Sequence, residues 1–212
     1  MTDGITSAEG GYHANVTGAF TPFDGYRDTW PGSYTTSLDV YLDTSWASGS
    51  FFEYTVASSN SVDGGHLQDF VFHVAKDDVS GGFLLSGDNN AYGNNYVNTN
   101  GNYATIGTTG WYTLQHFFYD DGGVLAVDMS LLDALGTNLF TETRTSAANT
   151  IPDVVGGNRY GWFASLNVDG GLNIDNSRLD IAPAPVPEPS TVLLLGSGLL
   201  GLGWYGRKRK KS

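Results

Sequence analysis

Hydrophobic and polar residues alternate along several short runs of the chain. Leu38, Val40 and Leu42 are separated by Asp39 and Tyr41, and similar alternation covers residues 52–56 and 70–74. Because successive side chains of a β-strand point to opposite faces, this pattern predicts strands with one buried and one wetter face. Further runs that read as strands cover residues 111–118, 124–131, 139–145, 160–167 and 172–181.

Clusters of Gly, Asn and Asp separate these runs, and Asp120-Asp-Gly-Gly123 predicts a tight hairpin between two of them. Roughly ten strands at this spacing favour an all-β fold, a two-sheet antiparallel sandwich or jelly roll over residues 13–181. The composition agrees, with 29 glycines and 13% aromatic residues. There is no cysteine, which excludes disulfides and thiolate metal sites.

The pattern changes after residue 181. Residues 182–189 read APAPVPEP, and alternating proline predicts an extended linker outside any sheet. Residues 190–206 carry no charge and predict a short transmembrane-type helix. Its apolar part would span ~22 Å against a hydrocarbon core of ~30 Å, which is short for a lasting anchor. The basic residues 207–212 then predict a cytoplasmic tail, with residues 1–190 on the outer side.

These C-terminal residues resemble a known sorting signal. A Pro-Glu-Pro motif, an apolar stretch and a basic run follow one another, as in the PEP-CTERM signal. The resemblance implies an exosortase-type membrane protease as partner, in a Gram-negative, exopolysaccharide-producing bacterium, and delivery to the cell envelope, outer surface or extracellular matrix. The motif residues are Val186, Pro187, Glu188 and Pro189, and the basic flank is Arg207, Lys208, Arg209, Lys210 and Lys211.

Export also needs an N-terminal signal, and residues 1–12 lack its cationic and apolar regions. We therefore expect residues 1–12 to be disordered or to represent a truncated N-terminus, with a processed signal peptide as the alternative.

Charge is distributed unevenly. Residues 1–206 carry five cations against 22 carboxylates, a net of -17, whereas residues 207–211 carry +5. Because residues 1–206 are this acidic, nucleic-acid binding through a basic patch is excluded. The acidity is compatible with cation binding or with solubility alone.

Three later segments resemble strands of the concanavalin A-like lectin/glucanase (laminin G-like) jelly roll: residues 110–112, 156–162 and 172–176. The resemblance implies two curved sheets that bind glycans on the concave face or the edge loops, sometimes with calcium. Fold alone does not assign a function.

No catalytic residue is predicted. The jelly-roll glucanases carry a Glu-x-Asp-x-x-Glu strand, and this chain has none, nor a nucleophile elbow or an HExxH motif. Glu53 and Glu142 are isolated in strand-like runs. His73 and His116 lie beside aromatics and are interpreted as ordinary half-buried histidines.

Calcium is the cofactor that the sequence favours, because Asp and Asn supply its hard oxygen ligands. Asp and Asn are also the residues that turns require, so the acidic clusters have a second explanation. We single out Asp175, which the resemblance places on a late strand where related domains hold an ion.

Exposed aromatics are candidates for stacking on sugar rings, although most aromatics of a sandwich belong to its core. Trp30 and Tyr34 flank a Pro-Gly turn, and Tyr92 and Tyr96 lie in a Gly/Asn-rich loop, so these four are expected to be exposed. The hypothesis is a non-catalytic, surface-sorted β-sandwich that interacts with polysaccharide. The alternatives are a glycan-active enzyme with an unrecognised site and a structural matrix protein without a small ligand.

Overall fold

The computed structural model describes residues 6–8, 20–23, 25–92, 97 and 101–181. By its internal contacts the chain divides into two units, residues 1–182 and 183–212. The predicted linker, C-terminal helix, basic tail and sorting motif, together with Tyr96 and most of residues 1–12, lie outside the described residues. In the described ranges, no helix is long and apolar enough to cross a membrane.

The described residues form a sandwich of two six-stranded sheets, in which every strand pairing is antiparallel. Sheet A has the order β1-β12-β3-β8-β9-β10, and sheet B has the order β2-β11-β4-β5-β6-β7. The all-β, two-sheet prediction is therefore confirmed. The strands are β1 Thr6–Ala8, β2 Phe20–Thr21, β3 Tyr34–Leu42, β4 Phe51–Asn60, β5 His66–Lys76, β6 Phe83–Asn89, β7 Ala104–Ile106, β8 Gly110–Asp120, β9 Val124–Asp133, β10 Asn138–Thr150, β11 Val155–Asn167 and β12 Leu172–Ile181.

Strand β3 shows how alternation builds the core. Leu38, Val40 and Leu42 are buried between the sheets, whereas Asp39 and Tyr41 are only half-buried on the outer side. The hydrophobic residues of one strand face thus supply the free energy of burial, about 25 cal/mol per Å² of apolar surface removed from water.

Strand β4 departs from that pattern, since all of its residues except Asn60 are buried. Phe52, Tyr54 and Val56 face the core, as alternation predicts. The intervening Glu53 and Thr55 are buried as well. Both faces of β4 are therefore shielded from water, unlike the outer face of β3 in sheet A.

The predicted hairpin joins β8 to β9. The N–H of Asp121 donates to the carbonyl of Val124 at 2.8 Å, and Gly122 and Gly123 have φ values of 63° and 92°. Two successive positive φ values match the twist that a two-residue hairpin needs, which explains the Gly-Gly pair. Strand β6 was not predicted, because its end, Asp88-Asn89, reads as turn chemistry.

Candidate functional site

Strand β8 lies near the middle of sheet A and presents large side chains on both of its faces. Leu114, His116 and Phe118 point inward and are fully buried. Trp111, Thr113, Gln115, Phe117 and Tyr119 alternate with them on the outer face, where they are half-buried or exposed. An open sheet face with several aromatic residues is a common form of ligand-binding surface.

Two aromatic pairs stand on this outer face. Trp111 contacts Tyr41 of β3 edge-on, with ring centroids 5.4 Å apart. Phe117 and Tyr119 are stacked, with centroids 5.2 Å apart, and Phe117 is 37% exposed. Because six residues of an extended strand separate Trp111 from Phe117, the two pairs lie ~20 Å apart.

Polar side chains lie between the two pairs, at Thr113 and Asp39, and beside Phe117, at Asp128 and Thr143. The Thr113 hydroxyl donates to Asp39 at 2.6 Å, and the Thr143 hydroxyl donates to Asp128 at 2.6 Å. Burial, together with the carboxylate of Asp128, raises the pKa of Tyr119, so its hydroxyl stays protonated and can act as a donor. We call this surface the β8 face; it comprises the outward side chains Asp39, Tyr41, Trp111, Thr113, Gln115, Phe117, Tyr119, Asp128 and Ser130.

A shallow hollow of about 200 Å³ adjoins the Trp111 end of the β8 face. Thr109, Trp111, Asp133 and Leu135 are among the residues that line it. The face therefore ends in a concave step beside an aromatic ring.

The aromatic residues singled out from the sequence have different environments. Tyr34 is 1% exposed and stacks on Phe118 with centroids 4.5 Å apart, so its predicted exposure is wrong. The reason is strand parity, since Tyr34 begins β3 on the same face as Leu38. Trp30 is half-buried against the core, 5.6 Å from the Tyr34 ring. Tyr92 is 43% exposed.

The sequence hypothesis missed Tyr41, Phe117 and Tyr119. Each alternates with core residues in a strand where both faces carry aromatics, and the outer face was not recognisable as such. One signal could have identified the outer residues of β8. In residues 111–119, the odd-numbered and even-numbered positions form the two faces of one strand, and in a two-sheet sandwich one of these faces must point to solvent.

Asp175 lies directly opposite Asp39 in the pairing of β12 with β3. Asp39 accepts hydrogen bonds from Thr113 and, at 2.7 Å, from the Asn176 amide, and Asp175 accepts from the Asn176 backbone N–H at 2.8 Å. Calcium takes six to eight oxygen ligands. In the part of the chain that the structure describes, no three His, Cys, Asp or Glu residues form a group that could hold a metal ion. Calcium binding at Asp175 therefore stays a prediction.

Glu53, His73 and Ser165 form a buried cluster on sheet B. His73 Nδ1 lies 3.0 Å from Glu53 Oε1, and the Ser165 hydroxyl donates to Glu53 Oε2 at 2.6 Å. In a Ser-His-acid triad the serine donates to the histidine, which then takes its proton. Here the serine donates to the carboxylate, so the cluster does not have the hydrogen-bond order of that triad.

His116 and His73 are fully buried rather than half-buried. The His116 ring packs 4.8 Å from Phe72, and its Nε2 donates to the Phe70 carbonyl at 3.2 Å. Burial lowers the pKa of His116 to about 3, so the ring is neutral at physiological pH.

Comparisons with known proteins found a similar solved structure and a matching sequence motif for this chain. No curated protein matches it. Among solved structures, the described sandwich is similar to the CBM2 module of Lactobacillus casei BL23 phage J-1 evolved Dit, at 12% identity and a TM-score of 0.49, covering 86% of this chain and 78% of that one.

The C-terminal residues match the model of a sorting motif, the PEP-CTERM protein-sorting motif, over residues 185–210. This range contains the Pro-Glu-Pro motif, the apolar stretch and most of the basic run. The chain therefore carries a PEP-CTERM protein-sorting motif, the signal of an exported protein that an exosortase processes and that is sorted to the cell envelope.

Proposed function

We propose that this protein is a non-catalytic polysaccharide-binding protein of the cell envelope and that the β8 face is its binding surface. One observation carries the proposal: two half-buried or exposed aromatic pairs ~20 Å apart on one open sheet face, with hydrogen-bonding side chains between and beside them. The sorting motif supports the location in this proposal, because it directs the protein to the cell envelope.

The chemistry of the face suits a sugar chain. A pyranose ring has an apolar C–H side that packs on aromatic rings and a rim of hydroxyls that hydrogen-bond to amides, hydroxyls and carboxylates. Trp111 and Phe117 offer the rings, while Gln115 and Asp128 offer the polar groups. An open face of this length accepts several consecutive sugars, in contrast to a closed pocket that holds one small molecule.

The negative charge of the protein indicates which class of polysaccharide the β8 face would bind. The β8 face contains Asp39 and Asp128, and residues 1–206 carry a net charge of -17. A polymer of uronic acids would meet like charge, which lowers both association rate and affinity. The face therefore favours neutral polysaccharides.

Binding to immobilised glucans, mannans and galactans tests the proposal. We expect the wild-type protein to be retained by at least one neutral polymer and to bind polyuronic acids more weakly at low salt. The variants Trp111→Ala and Phe117→Ala should each lower affinity about tenfold, since loss of a central aromatic contact costs more than 1 kcal/mol.

The control is Tyr103→Ala, which removes an aromatic of similar exposure (44%) ahead of β7 on sheet B. It should leave affinity unchanged. Equal binding by all variants would contradict the assignment of the β8 face. Absence of binding to every polymer would favour a structural matrix protein, and release of shorter sugars would favour an enzyme.

A further inference from the structure

A second aromatic cluster lies on the outer face of sheet B, on the opposite side of the sandwich. Tyr160 of β11 is its centre: the rings of Tyr26 and His66 lie 6.4 Å from it and the ring of Trp162 lies 6.2 Å from it. Tyr160 and Trp162 alternate with the inward Gly161 and Phe163, so strand parity places both on the outer face. We call Tyr26, His66, Tyr92, Tyr160 and Trp162 the Tyr160 cluster.

The buried carboxylate of Asp69 contacts this cluster. Asp69 Oδ2 lies 2.8 Å from His66 Nε2, and the Asp69 backbone N–H donates to the Asn90 side chain at 2.8 Å. Burial, together with the neighbouring charge of Asp69, raises the pKa of the Tyr92 hydroxyl. Asp69 itself is 6% exposed. The hydrogen bond to Asp69 holds the His66 ring in place before any ligand arrives, which lowers the entropic cost of binding.

Arg159 fixes a further ring. Its guanidinium carbon lies 4.7 Å from the Tyr26 ring centroid and 5.4 Å from that of Tyr160, and its Nη1 donates to the Gly64 carbonyl at 3.2 Å. Even with Arg159 against it, Tyr26 remains 52% exposed. Because a cation already lies against these rings, the cluster is poorly suited to a cationic ligand and retains apolar ring surface for a neutral one.

Polar groups converge on the same rings. The Tyr160 hydroxyl stays protonated, because burial raises its pKa to about 12, and His66 and Tyr92 add further hydrogen-bonding atoms. The combination is a rigid aromatic surface with a few fixed donors and acceptors, which is the usual composition of a site for a small polar ring with apolar faces.

We propose that the Tyr160 cluster is a second carbohydrate-binding site, for a neutral sugar ring, and that the protein is thereby bivalent. The proposal of the site is supported by the contacts within the Tyr160 cluster, whereas the proposal of bivalence rests on the proposed function of the β8 face. Two sites on opposite sheets cannot both bind one short segment of glycan. They join two chains, so a single folded domain cross-links polysaccharide.

The test uses the full chain in mild detergent, monomeric by light scattering, and the soluble neutral polysaccharide that retains the wild type most strongly. Binding is measured by retention on the immobilised polymer, and cross-linking by the rise in viscosity of its solution. Tyr26→Ala and His66→Ala remove exposed rings, so the fold should survive, which circular dichroism checks. Tyr103→Ala is again the control.

We expect the wild type to raise viscosity at least severalfold. Tyr26→Ala and His66→Ala should keep retention through the β8 face, with affinity reduced no more than about tenfold, and should lose the rise in viscosity. Trp111→Ala with Phe117→Ala should also lose the rise and keep weak retention through the Tyr160 cluster.

Other outcomes separate the two proposals. If Tyr26→Ala and His66→Ala raised the viscosity as much as the wild type does, the proposal of a second site would be overturned, and the proposal for the β8 face would stand. Loss of all retention in these variants, with no effect of the β8 variants, would place a single site at the Tyr160 cluster and overturn the proposed function of the β8 face. No retention of the wild type by any neutral polymer would overturn both.

Discussion

At the scale of single residues, His116 couples stability to pH. Its pKa is about 3 in the folded protein, where burial disfavours the charged ring, against about 6.5 when unfolded. Between these values the unfolded state binds a proton that the folded state does not. The contribution of His116 to stability is therefore complete above about pH 6.5 and is lost as the pH falls towards 3.

We expect the free energy of unfolding to fall by roughly 1 kcal/mol per pH unit from this group over that range. His116→Phe should flatten the dependence, measured by urea denaturation at several pH values. The control is Phe72→Leu, which removes packing against the same ring without a titratable group. An unchanged slope in His116→Phe would contradict the prediction.

Asp175 and Asp39 place like charges directly opposite one another, an arrangement that destabilises a strand pair. We expect Asp175→Asn to raise the free energy of unfolding by about 0.5 kcal/mol in chelating buffer. Asp180→Asn, at an exposed position beside Arg178, should change it little.

The same variants test whether Asp175 binds calcium. If Asp175 holds an ion, as the sequence predicts, calcium will raise the melting temperature of the wild type and not that of Asp175→Asn. A wild-type melting temperature that ignores calcium would contradict the metal prediction, while a destabilised Asp175→Asn without calcium would contradict the repulsion.

At the scale of elements, β10 of sheet A is joined to β6 of sheet B by a polar bridge. Arg144 lies 2.7 Å from Glu142, and it donates to the Gly87 carbonyl, while the Gly87 N–H donates to Glu142 at 3.3 Å. Burial raises the pKa of Glu142 in spite of the neighbouring guanidinium. The bridge satisfies the backbone of Gly87 across the two sheets.

We expect Arg144→Met to destabilise the protein by about 2 kcal/mol, because it leaves the Gly87 carbonyl without this donor and the partly buried Glu142 carboxylate without its neighbouring cation. Urea denaturation measures the change. Arg178→Met is the matched control, since Arg178 is exposed beside Asp180 and surface ion pairs contribute little. Equal stability of the two variants would show that the bridge is dispensable.

The elements also show what a sequence can predict. Alternation identified β3, β8, β9 and their partners, because burial of one face requires a period of two residues. It could not distinguish the outer face of β8 from its core face, since Trp111 and Phe117 look as hydrophobic as Leu114 and Phe118. Nor could it bring His66 and Tyr160 together, because their proximity depends on the pairing of β4 with both β5 and β11.

At the scale of the whole molecule, the sorting motif was predictable in full, because its three parts are contiguous and need no folding to be read. Replacing Pro187, Glu188 and Pro189 by alanine should leave unprocessed precursor in the membrane fraction of the producing cell. Immunoblotting of fractionated cells measures the ratio of unprocessed precursor to processed protein. Pro183→Ala, outside the matched residues 185–210, is the control and should be processed normally. Processing of the triple variant at the wild-type rate would contradict the assigned role of the motif.

The position of β12 has a mechanical consequence. This last strand is hydrogen-bonded between β1 and β3, and Ile181 at its end pairs with Tyr34. Tension between a captured polymer on β8 and the C-terminal attachment would pass through β12 and β3 to β8 within one sheet. Such a load would act along neighbouring antiparallel strands, so several hydrogen bonds between β12 and β3 would have to break together before the two strands separate.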